Sequence, residues 1–191
     1  MYLKRNNELQ ILLLFLSGYT KEFYLREISK KAGIPLKTTQ TAVSFLEKEN
    51  ILKIKRDGKN KYFSLNLENI ETKLFLEHAE LYKTQLFLQK YTLFKTFLKN
   101  FKTESIIVLF GSFAKGTAGK ESDADIFIIS DKEEELPLHL LPYKVHKIHM
   151  TKGSYKKAME EALIKEIEEN HILLNNHSAY VNILWWKQHG R

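Results

Sequence analysis

The chain has 191 residues, 43% of them apolar and 28% charged, with no cysteine and a net charge of +7. That composition fits one large or two small globular domains with a real core; it excludes disulfides, thiolate nucleophiles and cysteine-bound zinc, and no apolar run nears the roughly 18 residues of a membrane span. The charge is unevenly placed, because residues 1–66 hold 13 Lys/Arg against 6 Asp/Glu whereas residues 67–191 hold 17 of each.

A basic block on an otherwise neutral chain is the electrostatic footprint of a nucleic-acid module. The longest apolar run, "ILLLFL" (Ile11 to Leu16), lacks the flanks of a signal peptide, so a cytoplasmic location is expected. The same run ends an expected first helix, from about Asn7 to Leu16, with Leu9, Leu12, Leu13 and Leu16 on one face. Leu25, Ile28 and Ala32 space a short second helix, and Gly33 stands where a tight helix-helix turn needs a permissive backbone. Pro35 is placed for the first turn of a third helix, with Thr38, Ala42, Val43, Leu46 and then Ile51 inward. The exposed positions of that helix are expected to be Lys37, Thr39, Gln40 and Ser44. Two alternating runs, Ile51 to Lys55 and Lys61 to Leu65, flank "RDGKN", in which Asp57-Gly58 signals a hairpin. Lys55, Arg56, Lys59 and Lys61 make the hairpin tip cationic.

The order helix, helix, helix, basic hairpin over residues 7–66 resembles the winged helix-turn-helix of bacterial and archaeal transcription regulators. The resemblance implies that the third helix enters the major groove of double-stranded DNA and that the wing touches the backbone or minor groove. Gln40 would then read adenine, Lys37 guanine or phosphate, with Thr39 and Ser44 beside them. Lys55, Arg56, Lys59 and Lys61 would neutralise phosphates.

Residues 67–101 contain neither Pro nor Gly and carry a wide apolar stripe. Leu74, Leu81 and Leu88 fall seven apart, with Phe75, Ala79, Tyr82, Leu86, Leu93 and Phe97 beside them. One long helix or two short ones are expected, buried on a broad face and serving as a connector that pairs two copies into a homodimer.

The segment "VLFGSFAKGTAGKESDADIFII" follows a buried strand, "SIIVLF". Gly111 and Gly116 have the separation of a Walker A loop, but Thr117 and Ala118 stand where Lys and Ser/Thr are required; the dinucleotide spacing G-x-G-x-x-G is missing too. What fits is a strand, Gly-Ser, a short turn or helix, and a second strand opening with Asp123 and Asp125. Residues i and i+2 on a strand share a face, so the two carboxylates converge and call for a cation between them. Mg²⁺ is the natural one, since it takes hard oxygen ligands and shares them with phosphates. Gly111 permits close backbone approach to a triphosphate, and Ser112 offers its N–H and hydroxyl.

"GSFAKGTAGKESDADIF" is similar to the signature of the minimal nucleotidyltransferases of the DNA polymerase β superfamily. Gly111, Ser112, Ala114, Lys115, Gly116, Ala118, Ser122, Asp123, Asp125 and Ile126 all match it. The resemblance implies a small α/β domain with a mixed sheet and Mg-dependent binding of ATP or another NTP. Gly111, Ser112, Lys115 and Ser122 would bind nucleotide, and Asp123 and Asp125 would act as metal ligands and catalytic carboxylates. It also implies transfer of a nucleotidyl group to a hydroxyl. Some members adenylylate a partner protein as antitoxins, and others are fused to winged helices.

Complete members carry a third carboxylate on a following strand. Here that strand should be "YKVHKIHM" (Tyr143 to Met150), yet residues 136–159 hold no Asp or Glu, and His146 and His149 stand in the region. Further on, a helix is expected from about Ser154 to Asn170, then a strand from His171 to Leu174. A last helix, "HSAYVNILWWKQ", is expected to pack Tyr180, Ile183, Leu184 and Trp186, with Trp185 or Trp186 a less favoured base-stacking platform.

The expected fold is therefore α+β. A winged helix-turn-helix over 1–66 joins, through a helical connector over 67–101, a nucleotidyltransferase-like domain with a small mixed sheet over 102–191. Two functions stand open: a DNA-binding transcription regulator whose second domain binds Mg-NTP, or an active nucleotidyltransferase modifying a protein or small-molecule hydroxyl. The missing third carboxylate leaves the enzyme question to the geometry.

Overall fold

The computed structural model describes residues 6–58, 60–100 and 102–189. The chain divides into two compact units, Met1–Tyr82 with Val181–Arg191, and Lys83–Tyr180.

In the first unit, α1 (Asn7–Leu12) is capped by Asn6, whose Oδ1 accepts from Leu9 N. After Leu12 the chain tightens, with Leu14 N donating to Ile11 O and Phe15 N to Leu12 O. The helix is thus shorter than expected, and the tighter winding turns Ile11, Leu12, Phe15 and Leu16 inward in place of Leu9 and Leu13. A two-residue strand, β1 (Phe23–Tyr24), comes next and was not legible in the sequence. Then follow α2 (Leu25–Ala32) and α3 (Leu36–Lys48). Between them Gly33 adopts φ 61°, ψ 37°, the left-handed conformation its position called for.

The inward face of α3 is Thr39, Ala42, Val43 and Leu46, so Thr39 takes the buried place expected of Thr38. The Thr39 hydroxyl lies 3.2 Å from Ile34 O and 3.1 Å from Pro35 O, which satisfies it inside the core. Strands β2 (Leu52–Asp57) and β3 (Asn60–Leu65) pair antiparallel out to Asp57–Asn60. The turn is therefore two residues long, tighter than the five-residue tip expected. It starts at Gly58 with φ 57°, the positive φ such hairpins require. The sheet order is β1-β3-β2.

The stretch expected as connector forms α4 (Ile70–Lys90) and α5 (Phe94–Lys99). Its buried residues include Leu76, Ala79, Tyr82 and Phe87, whereas Leu74 and Leu81 are 51% and 45% exposed, so the heptad leucines do not form the buried seam.

The second unit is built on β4 (Ile106–Phe110), β5 (Ala124–Ile129), β6 (Val145–Met150) and β7 (Ile172–Asn175), in the order β6-β5-β4-β7. The sheet is mixed, because β4 is antiparallel to both β5 and β7 while β5 and β6 run parallel. Every residue of β4 is buried, as expected of a strand covered on both faces. One face packs Ile107, Leu109, Ile126 and Ile128 against Phe87, Phe94, Phe97 and Phe113. Between β4 and β5 lies the short helix α6 (Gly111–Lys115). The expected helix from Ser154 to Asn170 is two, α7 (Lys152–Lys157) and α8 (Ala162–Glu169). Helix α9 (His177–Gln188) closes the order, with Tyr180, Val181, Leu184 and Trp185 buried and Trp186 39% exposed. Trp185, at 4% exposure, offers no base-stacking face. No helix among the described residues is long and apolar enough to cross a membrane.

Candidate functional site

The first strand of the motif ends at Phe110 and the chain turns at once into α6 through Gly111, whose φ is 67°. A β-carbon at Gly111 would collide with Asp125 Oδ2, so only glycine lets the turn lie against that carboxylate. Asp125 is held opposite Phe110 by the β4–β5 register, and Asp123 stands just ahead of β5. The two aspartates are 27% and 34% exposed, open to a ligand from one side. The Ser112 hydroxyl has no hydrogen-bond partner among the described residues, and the carbonyl of Ser112 accepts from Thr117 N and Ala118 N, which folds the loop back. Gly116 closes α6 at φ 73°. Lys90 Nζ lies 3.3 Å from Gly116 O, which adds a cation to this loop that the sequence pattern did not point to.

Two of the residues expected to bind nucleotide already have protein partners. Lys115 Nζ lies 2.6 Å from Glu166 Oε1 on α8, half-exposed on both sides. Ser122 Oγ accepts from Gly119 N at 2.9 Å and so braces the loop that delivers Asp123, with its own O–H still able to donate.

Strand β6 answers the question of the third acid. Parallel pairing sets His146 directly opposite Asp125. The imidazole spans both carboxylates, with Nε2 3.4 Å from Asp123 Oδ2 and Nδ1 3.5 Å from Asp125 Oδ1. Lys144 Nζ stands 4.0 Å from the same Asp123 oxygen. His149, three residues further along β6 and opposite Ile128, is turned to Ser130 O at 2.9 Å and takes no part. Among the described residues the aspartates thus face His146 of β6 and Lys144 just ahead of it, and no third carboxylate. Of the remaining histidines, His171 Nδ1 lies 2.9 Å from Glu168 O and His177 Nε2 3.0 Å from Thr84 Oγ1, both inside the fold of this unit.

This donor set fits a divalent cation that arrives with its own ligands. Two carboxylates at one strand end suit a hard ion whose other positions are filled by phosphate oxygens and water. Among the described residues no group of three His, Cys, Asp or Glu side chains is arranged to hold a metal by itself.

In the first unit, Lys37, Gln40 and Ser44 are exposed on α3, as expected. Thr39 is not: it is fully buried and leaves the candidate interface. Gln40, Ser44 and Lys61 line one groove of about 610 Å³ between α3 and the β2–β3 hairpin, together with Arg26 and the half-exposed Tyr24. Arg26 was missed because it sits in the first turn of α2, where sequence spacing gives it no special place. Arg56 and Lys61 face each other across the hairpin, a like-charge pair that costs stability unless an anion covers it. Lys55 is exposed but 3.4 Å from Glu22 Oε2. Lys59 lies outside the described residues.

The family model described as a nucleotidyltransferase domain matches residues 91–178. That span contains all four strands of the mixed sheet and the Gly111–Asp125 loop, and it supports a nucleotidyltransferase-like function for this part of the chain. No curated protein and no solved structure matches the chain.

Proposed function

We propose that the chain is a DNA-binding transcription regulator. Its first unit is a winged helix-turn-helix that reads double-stranded DNA as a homodimer, and its nucleotidyltransferase-like unit binds Mg-NTP. The observation that carries the DNA half is the clustering of Gln40, Ser44, Lys61 and Arg26 around one groove, in the part of the chain that holds the entire charge excess. Lys37 and Gln40 on α3 then face base edges, while Arg56, Lys61 and Lys59 neutralise phosphates and release counterions. Anisotropy titration of random duplex DNA tests this: affinity falls steeply as salt rises, and the double substitution Lys37→Ala/Arg56→Ala weakens binding at every sequence tried. Salt-independent binding, or a double variant equal to wild type, sinks the reading.

In the second unit, Gly111 admits the triphosphate, Ser112 donates its hydroxyl to phosphate oxygen, and Lys115 exchanges Glu166 for phosphate. Asp123 and Asp125 hold Mg²⁺, which when bound neutralises the phosphates and polarises the α-phosphorus.

The alternative is an active nucleotidyltransferase acting on a protein or small-molecule hydroxyl, and one contact favours keeping it: the His146 imidazole stands at both aspartates. In that reaction the acceptor oxygen bonds to the α-phosphorus, the bond from that phosphorus to the β-bridging oxygen breaks, and pyrophosphate leaves. His146 takes the hydroxyl proton. Incubation with labelled ATP and Mg²⁺ decides it. Label on an acceptor that is lost in Asp123→Ala, Asp125→Ala and His146→Ala supports transfer; binding of ATP without any label leaves the regulator alone.

A further inference from the structure

The groove between α3 and the β2–β3 hairpin holds one side chain that phosphate contacts leave unexplained. Leu36, the first residue of α3, lines it and is 44% exposed. A single exposed leucine is ordinary on a protein surface; what sets this one apart is its company. Leu36, Gln40 and Ser44 follow 4-residue steps and so lie on one stripe of α3, and all three line the groove. Phe45 on the same helix is as exposed as Leu36 but lies outside the groove, beside Leu9 and Phe75. The half-exposed Tyr24 adds a second apolar group to the groove. Glu47 lines it near the other end of α3, about 16 Å from Leu36. As an acid Glu47 repels phosphate from its own end and leaves the Leu36 end, next to Lys37, for DNA.

We infer that Leu36 is a specificity residue of the DNA site and reads the C5-methyl group of a thymine in the major groove; the inference rests on the DNA-binding function proposed above. A leucine side chain neither donates nor accepts a hydrogen bond, so it gains nothing at a phosphate or at the polar atoms of a base edge. Pressed against those atoms it would strip them of water without replacing it. The thymine methyl is the apolar group that the major-groove edges offer, and covering it with leucine removes both from water. Gln40 fixes where that thymine lies. It stands four residues on, about 6 Å along the helix axis, which is close to two base steps of about 3.4 Å each. With Gln40 on an adenine, Leu36 meets a thymine one or two base pairs away. A methylated cytosine presents the same methyl group, and the test tells the two sources apart.

The test starts by selecting preferred duplexes with the whole chain from an unmethylated random pool. Each thymine of the selected site is then replaced in turn by uracil, which removes the methyl group and nothing else. Uracil at one position should weaken binding about fourfold, as the loss of one buried carbon group does, and should be silent elsewhere. Leu36→Ala, folded by circular dichroism, should bind thymine and uracil there equally, with its salt slope unchanged because no charge is lost. Phe45→Ala should keep the wild-type ratio. Uracil that is silent at every thymine overturns the inference, and so does a Leu36→Ala variant that still tells the two bases apart. Selection that succeeds only from a pool carrying 5-methylcytosine overturns thymine as the source of the methyl. A wild type that binds every sequence alike overturns the inference and leaves DNA binding standing, whereas one that binds no duplex sinks the regulator itself and the role of Leu36 with it.

Discussion

Gly111 and Gly116 have nearly the same backbone angle, φ 67° and 73°, but different surroundings, and the difference makes a prediction. An alanine at either site pays for a left-handed conformation, about 1 kcal/mol or somewhat more. At Gly111 its β-carbon also meets Asp125 Oδ2, whereas at Gly116 the nearest atom is Lys90 Nζ at 3.9 Å. Gly111→Ala is therefore expected to lower Tm further than Gly116→Ala and to abolish binding of a non-hydrolysable ATP analogue by calorimetry, with Gly116→Ala retaining it. Equal effects of the two would disconnect the Gly111 turn from the site. Thr39 and Gln40 separate in the same way. Thr39→Val buries no hydroxyl in its place and removes a donor to Ile34 O and Pro35 O, which keep the Ser29 hydroxyl and the backbone N–H of residue 39, and should cost about 1 kcal/mol of stability with little change in DNA sequence preference. Gln40→Ala should leave Tm alone and flatten the preference. At the far end of the sheet, the Ser105 hydroxyl bonds Glu134 and holds its carboxyl below the usual range. A depressed carboxyl stabilises the fold above its unfolded pKa and loses that contribution as pH falls through the folded one. The Glu134 titration followed by NMR should accordingly move up toward ordinary glutamate in Ser105→Ala.

At the scale of elements, spacing in the sequence carried the site further than it carried the helices. "GSFAKG…SDAD" specified a strand, a turn and a second strand because glycine and aspartate are demanded there by local backbone and charge, and both effects act over a few residues. The partner of Asp125 was out of reach of that logic: it depends on a crossover of 15 residues between Ile129 and Val145 and on parallel register, which sets His146 opposite Asp125 and turns His149 to Ser130. The helix phases failed for a related reason. Thr38 and Thr39 are equally compatible with a stripe through Ala42 and Leu46, and only the start of α3 at Leu36 chooses between them. Likewise the leucine heptad of α4 is a true period, but the core took the neighbouring face through Leu76, Ala79 and Phe87. The role of β6 has its own test. His146→Asp replaces an imidazole, a weak Mg²⁺ ligand, by a carboxylate beside two others. Without divalent ion the three like charges should lower Tm; with Mg²⁺ the gain in Tm should exceed that of wild type. No difference in the Mg²⁺ response would remove β6 from the site.

At the scale of the molecule, charge divides the labour. All seven excess positive charges fall within residues 1–66, and the remainder of the chain is neutral overall. The proposed binding to DNA through that excess would release about 0.9 counterions for each phosphate neutralised, so each lost contact should flatten the plot of log K against log salt by about that amount. The cations are not equivalent. Arg56 and Lys61 stand side by side across the hairpin with no ion-pair partner among the described residues, so a phosphate relieves their repulsion as it binds. Lys55 sits 3.4 Å from Glu22 and must give up that contact, or share it, to reach the backbone. Lys61→Ala and Arg56→Ala are each expected to lower the slope by close to one, and Lys55→Ala by clearly less. Glu22→Gln should move the other way, freeing Lys55 and strengthening binding at low salt. Asp123→Asn, in the neutral part of the chain, should weaken ATP-analogue binding and leave the slope unchanged. A slope that falls with Asp123→Asn, or that responds to Lys55 as strongly as to Lys61, would mean that the phosphates do not lie where the basic hairpin presents its unpaired charges.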